Sequence, residues 1–321
     1  MLVAGALLLA ACGDDGDDPG GGSGAMEVVV ASPAAALTAS FLPKFGVAQG
    51  IFKENGLDGR FVAANSSPEI ATAIVSKSAD FGTVTPATYL PLVGKGADLR
   101  YFLNEYPIEI SLVAGPDVRL ANAGAAFPQK LLDAKGKKIG VPALGSSFTV
   151  IFDNLAQQAG LAEGDFTYVA IGTQGPPAIQ AGQIDLLLTN IPDEVRLGEG
   201  KFQMILTSDE LRTAIKGEQV LSAAYVTNGD QDKELTSRFC NAMKATVEFA
   251  RDPANADVVA AAIAKEYNLS AEDGKKVWDR WGPGFVIEPV TRADWDATTQ
   301  SILYKSTPAP PFDEAVLTGV C

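Results

Sequence analysis

Lys138-Ile139-Gly140-Val141-Pro142-Ala143-Leu144-Gly145-Ser146-Ser147-Phe148 is the stretch on which the fold turns. Its first four residues read as a short buried strand, and the glycine and two serines read as a strand-to-helix junction. Beyond the junction, Phe148, Ile151, Phe152, Leu155, Ala156 and Ala159 sit at i, i+3, i+4, i+7 and i+8, the spacing of a helix with one buried face. Gly160 ends that helix as a left-handed cap residue should, and residues 167–171 read as the next strand. Strand, junction, helix, strand is the unit of α/β folds built around largely parallel sheets.

The unit recurs on both sides. Strands are expected at 27–31, 60–64, 81–84, 99–103, 110–114, 138–141, 167–171, 185–189, 203–206 and 221–226, with helices between them. One helix begins at Ser66-Ser67-Pro68-Glu69, where Ser66 and Glu69 have capping-box spacing and Pro68 is tolerated in the first turn. Its buried face is read as Ile70, Ala71, Ile74 and Val75. From about Asp230 the chain is predominantly helical, with Leu235, Phe239, Met243 and Val247 at four-residue spacing. There is also an internal echo: Ala73-Ile74 precedes Asp80 by the spacing that separates Ala178-Ile179 from Asp185, and each aspartate opens a short apolar strand. One copy per lobe is expected.

Composition narrows the function. A chain of 321 residues with 47% hydrophobic side chains is too long for one small core and fills two lobes. A net charge of −14 excludes nucleic acid as an expected partner. Histidine is absent, which removes the commonest general base and metal ligand, and three cysteines cannot build a thiolate zinc site. No cofactor or metal is expected.

In open α/β sheets ligands bind at the carboxyl ends of the strands, where helix N-termini aim free N–H groups into the crevice. Here those junctions carry small hydroxyl and amide residues: Ser32-Pro33, Asn65-Ser66-Ser67, Thr85-Pro86-Ala87-Thr88, Gly145-Ser146-Ser147 and Thr189-Asn190. Each Ser or Thr taken singly is also an ordinary cap residue. Five such junctions converging from two lobes would make a polar cage.

Five motifs in order carry a family resemblance. They are Ala48-Gln49-Gly50-Ile51-Phe52-Lys53-Glu54-Asn55-Gly56-Leu57, Ala79-Asp80-Phe81-Gly82, residues 132–142, Gly145-Ser146-Ser147, and Ala178-Ile179-Gln180-Ala181-Gly182-Gln183-Ile184-Asp185. Over residues 27–300 the chain resembles the nitrate/sulfonate/taurine and thiamine-precursor class of substrate-binding proteins of ABC importers. The resemblance implies an α/β, type II periplasmic-binding fold: two lobes, each a mostly parallel sheet flanked by helices, joined by two crossover segments. Residues 26–107 and 229–321 are then the first lobe and 108–228 the second. By position, Asn65, Ser66, Thr85, Ser146, Ser147, Asn190 and Asp193 become ligand-wall residues beside Ser32, with Tyr106 near the first crossover as an aromatic surface. The implied partners are a small-molecule ligand and a membrane permease, and the binding protein itself is expected to be a monomer.

The amino terminus points to export. Eleven uncharged, mostly apolar residues run into Leu9-Ala10-Ala11-Cys12 and then into an acidic, glycine-rich stretch. That core is shorter than the ~20 residues a spanning helix needs. It resembles a bacterial lipoprotein signal, which implies a signal peptide at 1–11, lipid on Cys12, a tether at 12–25 and an extracytoplasmic, membrane-anchored location. The pattern departs in one respect: no Lys or Arg precedes the apolar run. With Cys12 acylated, Cys240 and Cys321 remain as an even pair and are expected to form a disulfide, the alternative being two unpaired thiols.

The ligand class stays open between a small sulfonate or carboxylate, zwitterionic or aromatic, and a pyrimidine-like thiamine precursor. Helix N-termini favour an anion. Asp193 suits a ligand with an amino or ring N–H donor, or else is a helix N-terminal charge after Pro192. Trp281, three residues after Trp278, either packs against its lobe or closes the cleft over an aromatic group. An enzyme of this fold is the rival class, but its pyrimidine-precursor synthases use histidine and a cysteine cluster, both absent here. A sensor reporting to a membrane kinase is the third reading.

Overall fold

Among the described residues, ten strands form two five-stranded sheets of matching layout. The computed structural model describes residues 24–32, 38–64, 66–217 and 219–321. Residues 1–23, with the signal, Cys12 and most of the tether, lie outside the described residues, as does Asn65.

The first lobe opens with β1 (Met26–Ser32), α1 (Thr38–Ala48), α2 (Ile51–Glu54), β2 (Leu57–Ala63), α3 (Ser67–Val75), β3 (Phe81–Val84), α4 (Pro86–Val93) and β4 (Leu99–Tyr106). The chain crosses once and continues through β5 (Ser111–Ala114), β6 (Lys138–Val141), α5 (Ser147–Gln158), β7 (Thr167–Ala170), α6 (Gly175–Gln180), β8 (Leu186–Thr189), α7 (Ile191–Leu197), β9 (Gln203–Leu206) and α8 (Ser208–Ile215). It returns with β10 (Ala223–Asn228) and ends in helices: α9 (Lys233–Arg251), α10 (Ala256–Tyr267), α11 (Ala271–Trp281), α12 (Arg292–Gln300) and α13 (Phe312–Ala315). Among the described residues no helix is long and apolar enough to cross a membrane.

Strand order is β2-β1-β3-β10-β4 in one sheet and β7-β6-β8-β5-β9 in the other. In each, three strands pair in parallel and one runs against its neighbours: β10 against β3 and β4, β5 against β8 and β9. The sequence division at 228 is therefore corrected. Residues 223–228 belong to the first sheet, so the return crossing precedes Ala223. Val75, assigned to a buried helix face, is 44% exposed, while Ile70, Ala71 and Ile74 are buried.

The internal echo has a structural cause. Asp80 Oδ2 accepts the Val29 N–H of β1 at 2.8 Å, and Asp185 Oδ2 accepts the Lys138 N–H of β6 at 2.8 Å. The backbone N–H of each aspartate returns a bond, Asp80 to the Val29 carbonyl at 2.8 Å and Asp185 to the Lys138 carbonyl at 2.9 Å. Each carboxylate thus extends the ladder between equivalent parallel strands of its lobe and locks their register. Asp80 does more, because its Oδ1 also accepts from Gln231 Nε2 at 2.8 Å, ahead of α9.

One apolar cluster runs through both lobes, from Tyr89, Leu90 and Tyr101 through Ile108, Ile110 and Leu221 at the crossings to Ile139, Phe152 and Leu188. A second fills the other face of the first sheet and includes Phe41, Phe81, Phe239, Trp281 and Phe285. The C-terminal chain protects the free edge of β4: Asn104 N–H donates to Glu288, Val290 N–H to Phe102, and Leu317 N–H to Tyr101, at 2.8–3.1 Å. The Thr307–Pro311 stretch leads into α13 and this edge. Cys240 of α9 is joined to Cys321 by a disulfide with Cα atoms 5.5 Å apart, tethering the end of that segment.

Asp80→Ala should lower the free energy of unfolding by about 1–3 kcal/mol, and Asp185→Ala, whose bond is exposed to solvent, by less. Urea titration reads both, and equal or absent losses would contradict the register-lock assignment.

Candidate ligand-binding cleft

The carboxyl ends of β1, β2 and β3 lie on one edge of the first sheet, and those of β6, β7 and β8 on one edge of the second. In the first lobe, Ser66 caps α3 by accepting the Glu69 N–H at 3.4 Å. Ser67 reaches sideways instead: its Oγ accepts the Thr85 N–H at 3.0 Å and lies 3.5 Å from Thr85 Oγ1. Thr85 Oγ1 is in turn 3.5 Å from Thr88 Oγ1. The starts of α3 and α4 are thereby held together as a three-hydroxyl cluster, in which Ser67 and Thr88 join the expected Thr85. Their signal was their place in the same junctions.

In the second lobe, Ser146 occupies the N-cap position of α5 but turns its hydroxyl away, donating to the Ala143 carbonyl at 2.8 Å. The first turn of α5, beginning at Ser147, has no side-chain cap among the described residues, and its positive dipole end favours negative charge. Asn190 is buried, and its Oδ1 accepts the Asp193 N–H at 3.4 Å as the cap of α7. Asp193 is paired with Arg196 at 3.2 Å, and a Cβ on Gly175 would stand 3.5 Å from its Oδ2, so the start of α6 abuts it. Burial pushes the Asp193 carboxyl up to about 6, with Arg196 and the Thr189 hydroxyl partly offsetting the shift. Its role as a helix N-terminal charge is thus realised in the structure, and its charge is compensated within the lobe.

Four nearly fully buried polar atoms lack a hydrogen-bond partner among the described residues: Ser32 Oγ, Glu105 Oε2, Glu194 Oε1 and Trp281 Nε1. Orphans of this kind are uncommon in native structures. Ser32, Thr83 and Glu105 continue, by strand alternation, the face of the first sheet that carries Val30, Phe81 and Leu103. Glu105 is the extra residue of a β-bulge, since Ala223 pairs with Tyr106 and Ala224 with Asn104. Tyr225 OH donates to Glu105 Oε1 at 3.2 Å. Burial raises the Glu105 carboxyl well above the usual carboxylate range, with the Tyr225 bond only partly offsetting it. Sequence reading missed Glu105 because a lone Glu in an apolar strand reads as a solvated edge position.

Trp281 takes the packing alternative. It is 2% exposed, with ring centroids 5.8 Å from Phe41, 5.9 Å from Tyr267 and 4.8 Å from Phe285. Tyr106 ends β4 and pairs through its backbone with Ala223. Ser32 ends β1, Ser66 caps α3 while Thr85 meets Ser67 at the start of α4, and Ser146, Ser147, Asn190 and Asp193 stand at the second lobe's helix starts. No His/Cys/Asp/Glu cluster suited to a metal occurs among the described residues.

The NMT1/THI5-like family profile matches residues 45–256. The chain belongs to that family. Among curated proteins no sequence matches it. Among solved structures, this NMT1/THI5-like chain superposes on a protein of Bordetella bronchiseptica RB50 with a TM-score of 0.72 and 20% identity, covering 92% of this chain and 95% of that one. The alkanesulfonate-binding protein SsuA from Xanthomonas axonopodis pv. citri bound to MOPS gives 0.68 and 14%, covering 86% and 90%. The periplasmic aliphatic sulphonate binding protein SsuA from Escherichia coli gives 0.68 and 16%, covering 91% and 92%. At these identities the likeness establishes the two-lobed periplasmic-binding-protein fold.

Because the neutral form of Asp193 is favoured on folding, its contribution to stability is full below about pH 4 and is lost as pH rises through about 6. Wild type should therefore lose roughly 2–3 kcal/mol relative to Asp193→Asn between pH 4 and pH 7. Denaturant titrations at the two pH values test this, and a constant gap would refute the burial effect.

Proposed function

We propose that this protein is the extracytoplasmic solute-binding component of an ABC importer, anchored through Cys12, which captures one small organic anion or zwitterion between its lobes. The observation that carries the reading is the pairing of an uncapped α5 N-terminus in one lobe with the Ser67–Thr85–Thr88 hydroxyl cluster in the other. Sulfonate or carboxylate oxygens accept from both kinds of donor. The charged residues nearby are paired, Asp193 with Arg196 and Glu194 with Arg280, so the wall offers little net charge and suits a zwitterion better than a bare dianion. The family membership and the sulfonate-binding neighbours support the same reading.

Capture shifts an open–closed equilibrium toward closure to the extent that the ligand touches both lobes at once. The closed form is what a permease, or a sensor kinase, would recognise. Catalysis is not part of the proposal.

A thiamine-precursor pyrimidine is the second reading, and Glu105 favours it. Burial favours the neutral form of its carboxyl, and a neutral carboxyl both donates and accepts, as the amino and ring-nitrogen edge of such a heterocycle requires.

A thermal-shift screen of the full chain against alkanesulfonates, taurine, MOPS, aromatic carboxylates, nitrate and aminopyrimidines separates these classes. A bound ligand raises the melting temperature by mass action. Thr85→Val and Asn190→Ala should each weaken binding about tenfold, the effect of losing a hydrogen bond to a charged group. A ligand whose shift survives both substitutions would place binding elsewhere.

A further inference from the structure

The second lobe's α7 is gripped by the first lobe. Glu194, 4% exposed, accepts from Arg280 of α11 through Oε2 at 2.5 Å. Arg196, already paired with Asp193, donates to the Tyr267 carbonyl at the end of α10 at 2.8 Å. Ile191 is buried in the apolar cluster that holds Phe41, Tyr267, Trp281 and Phe285 of the first lobe. Three of seven residues in a helix whose cap stands at the ligand wall are therefore tied to the opposite lobe. The crossings themselves, at Ile108, Ile110 and Leu221, pack in the other cluster. This seam is a second, non-covalent join.

Resting on the solute-binding reading above, we propose that Glu194 and Arg280 form a clasp that couples ligand capture between the lobes to their closure, with Arg280 as a positioning residue outside the ligand wall. The clasp is built to be marginal. Glu194 is almost fully desolvated yet only one of its oxygens is bonded, and a buried carboxylate recovers its desolvation cost only when its remaining lone pairs are satisfied. Arg280 is 48% exposed, so its charge is only half removed from water. Opening the seam rehydrates Glu194, and closing it gains the ion pair, the Arg196–Tyr267 bond and burial of Ile191. Near balance, the differential contacts of a small ligand at Asn190 and the α5 N-terminus decide the outcome. The groove alongside is lined by Glu199, Asp273, Lys276 and Asp279, side chains that remain on the wet flank of the clasp.

The test measures inter-lobe distance by electron–electron resonance, with noncanonical spin-labelled residues at exposed positions 163 and 265 of the full chain. Arg280→Ala should shift the ligand-free distribution toward longer distances, and Arg280→Lys should restore most of the closed fraction. Glu194→Gln, which removes the buried charge, should abolish the effect of changing Arg280. With MOPS as the probe, Arg280→Ala should speed dissociation about tenfold or more and leave association nearly unchanged, as expected when a buried carboxylate loses its partner. An unchanged ligand-free distribution in Arg280→Ala would overturn the clasp. Failure of MOPS to bind wild type would count against the sulfonate reading alone, because the ligand-free arm decides the clasp independently.

Discussion

Each sheet borrows the strand that reverses its direction from the part of the chain that is changing lobes: β5 just after the first crossing, β10 just after the return. That constraint governs the rest. Because the reversed strand sits at the same place in both sheets, the three parallel strands of each lobe present their carboxyl ends on equivalent edges. Helices that start there, α3 and α4 in one lobe and α5, α6 and α7 in the other, place hydroxyls, amides and free N–H groups at those edges, where we propose the ligand binds. The Asp80 and Asp185 ladder bonds hold the parallel strands in register, so the corners stay where the strands put them.

The polar groups divide the work. Backbone N–H groups of α5 and the Ser67–Thr85–Thr88 hydroxyls are donors without charge, which suits recognition of anion oxygens without fixing the ligand's net charge. The ionised side chains of α7 are committed to partners, Asp193 to Arg196 and Glu194 to Arg280, and they serve the helix and its grip on the first lobe more than the ligand. Glu105 stands apart as a buried carboxyl in the first sheet whose neutral form desolvation favours, bonded through one oxygen to Tyr225.

Much of this was legible in the residues. Short apolar runs located all ten strands to within a few residues, since hydrophobic period and length are local properties, and the Asp80/Asp185 spacing disclosed the repeated unit. The hydroxyl junctions were legible for the same reason. The lobe to which 223–228 belongs was not, because sheet membership is a long-range property that a strand's own residues do not carry. Glu105 and Arg280 were invisible for a related cause: each owes its role to a bulge or a partner helix far away in sequence. Val75 shows the opposite error, an apolar residue at helical spacing that the last turn of α3 turns to solvent.

The central claim is that one small molecule is held by both lobes together. A crystal structure of the protein soaked with the tightest binder from the ligand screen measures this most directly. The account predicts density contacting the Ser67–Thr85 corner of the first lobe and the α5 N-terminus or Asn190 of the second at once. Density confined to one lobe, or seated in the outer groove beside Asp153 and Tyr168, would contradict it.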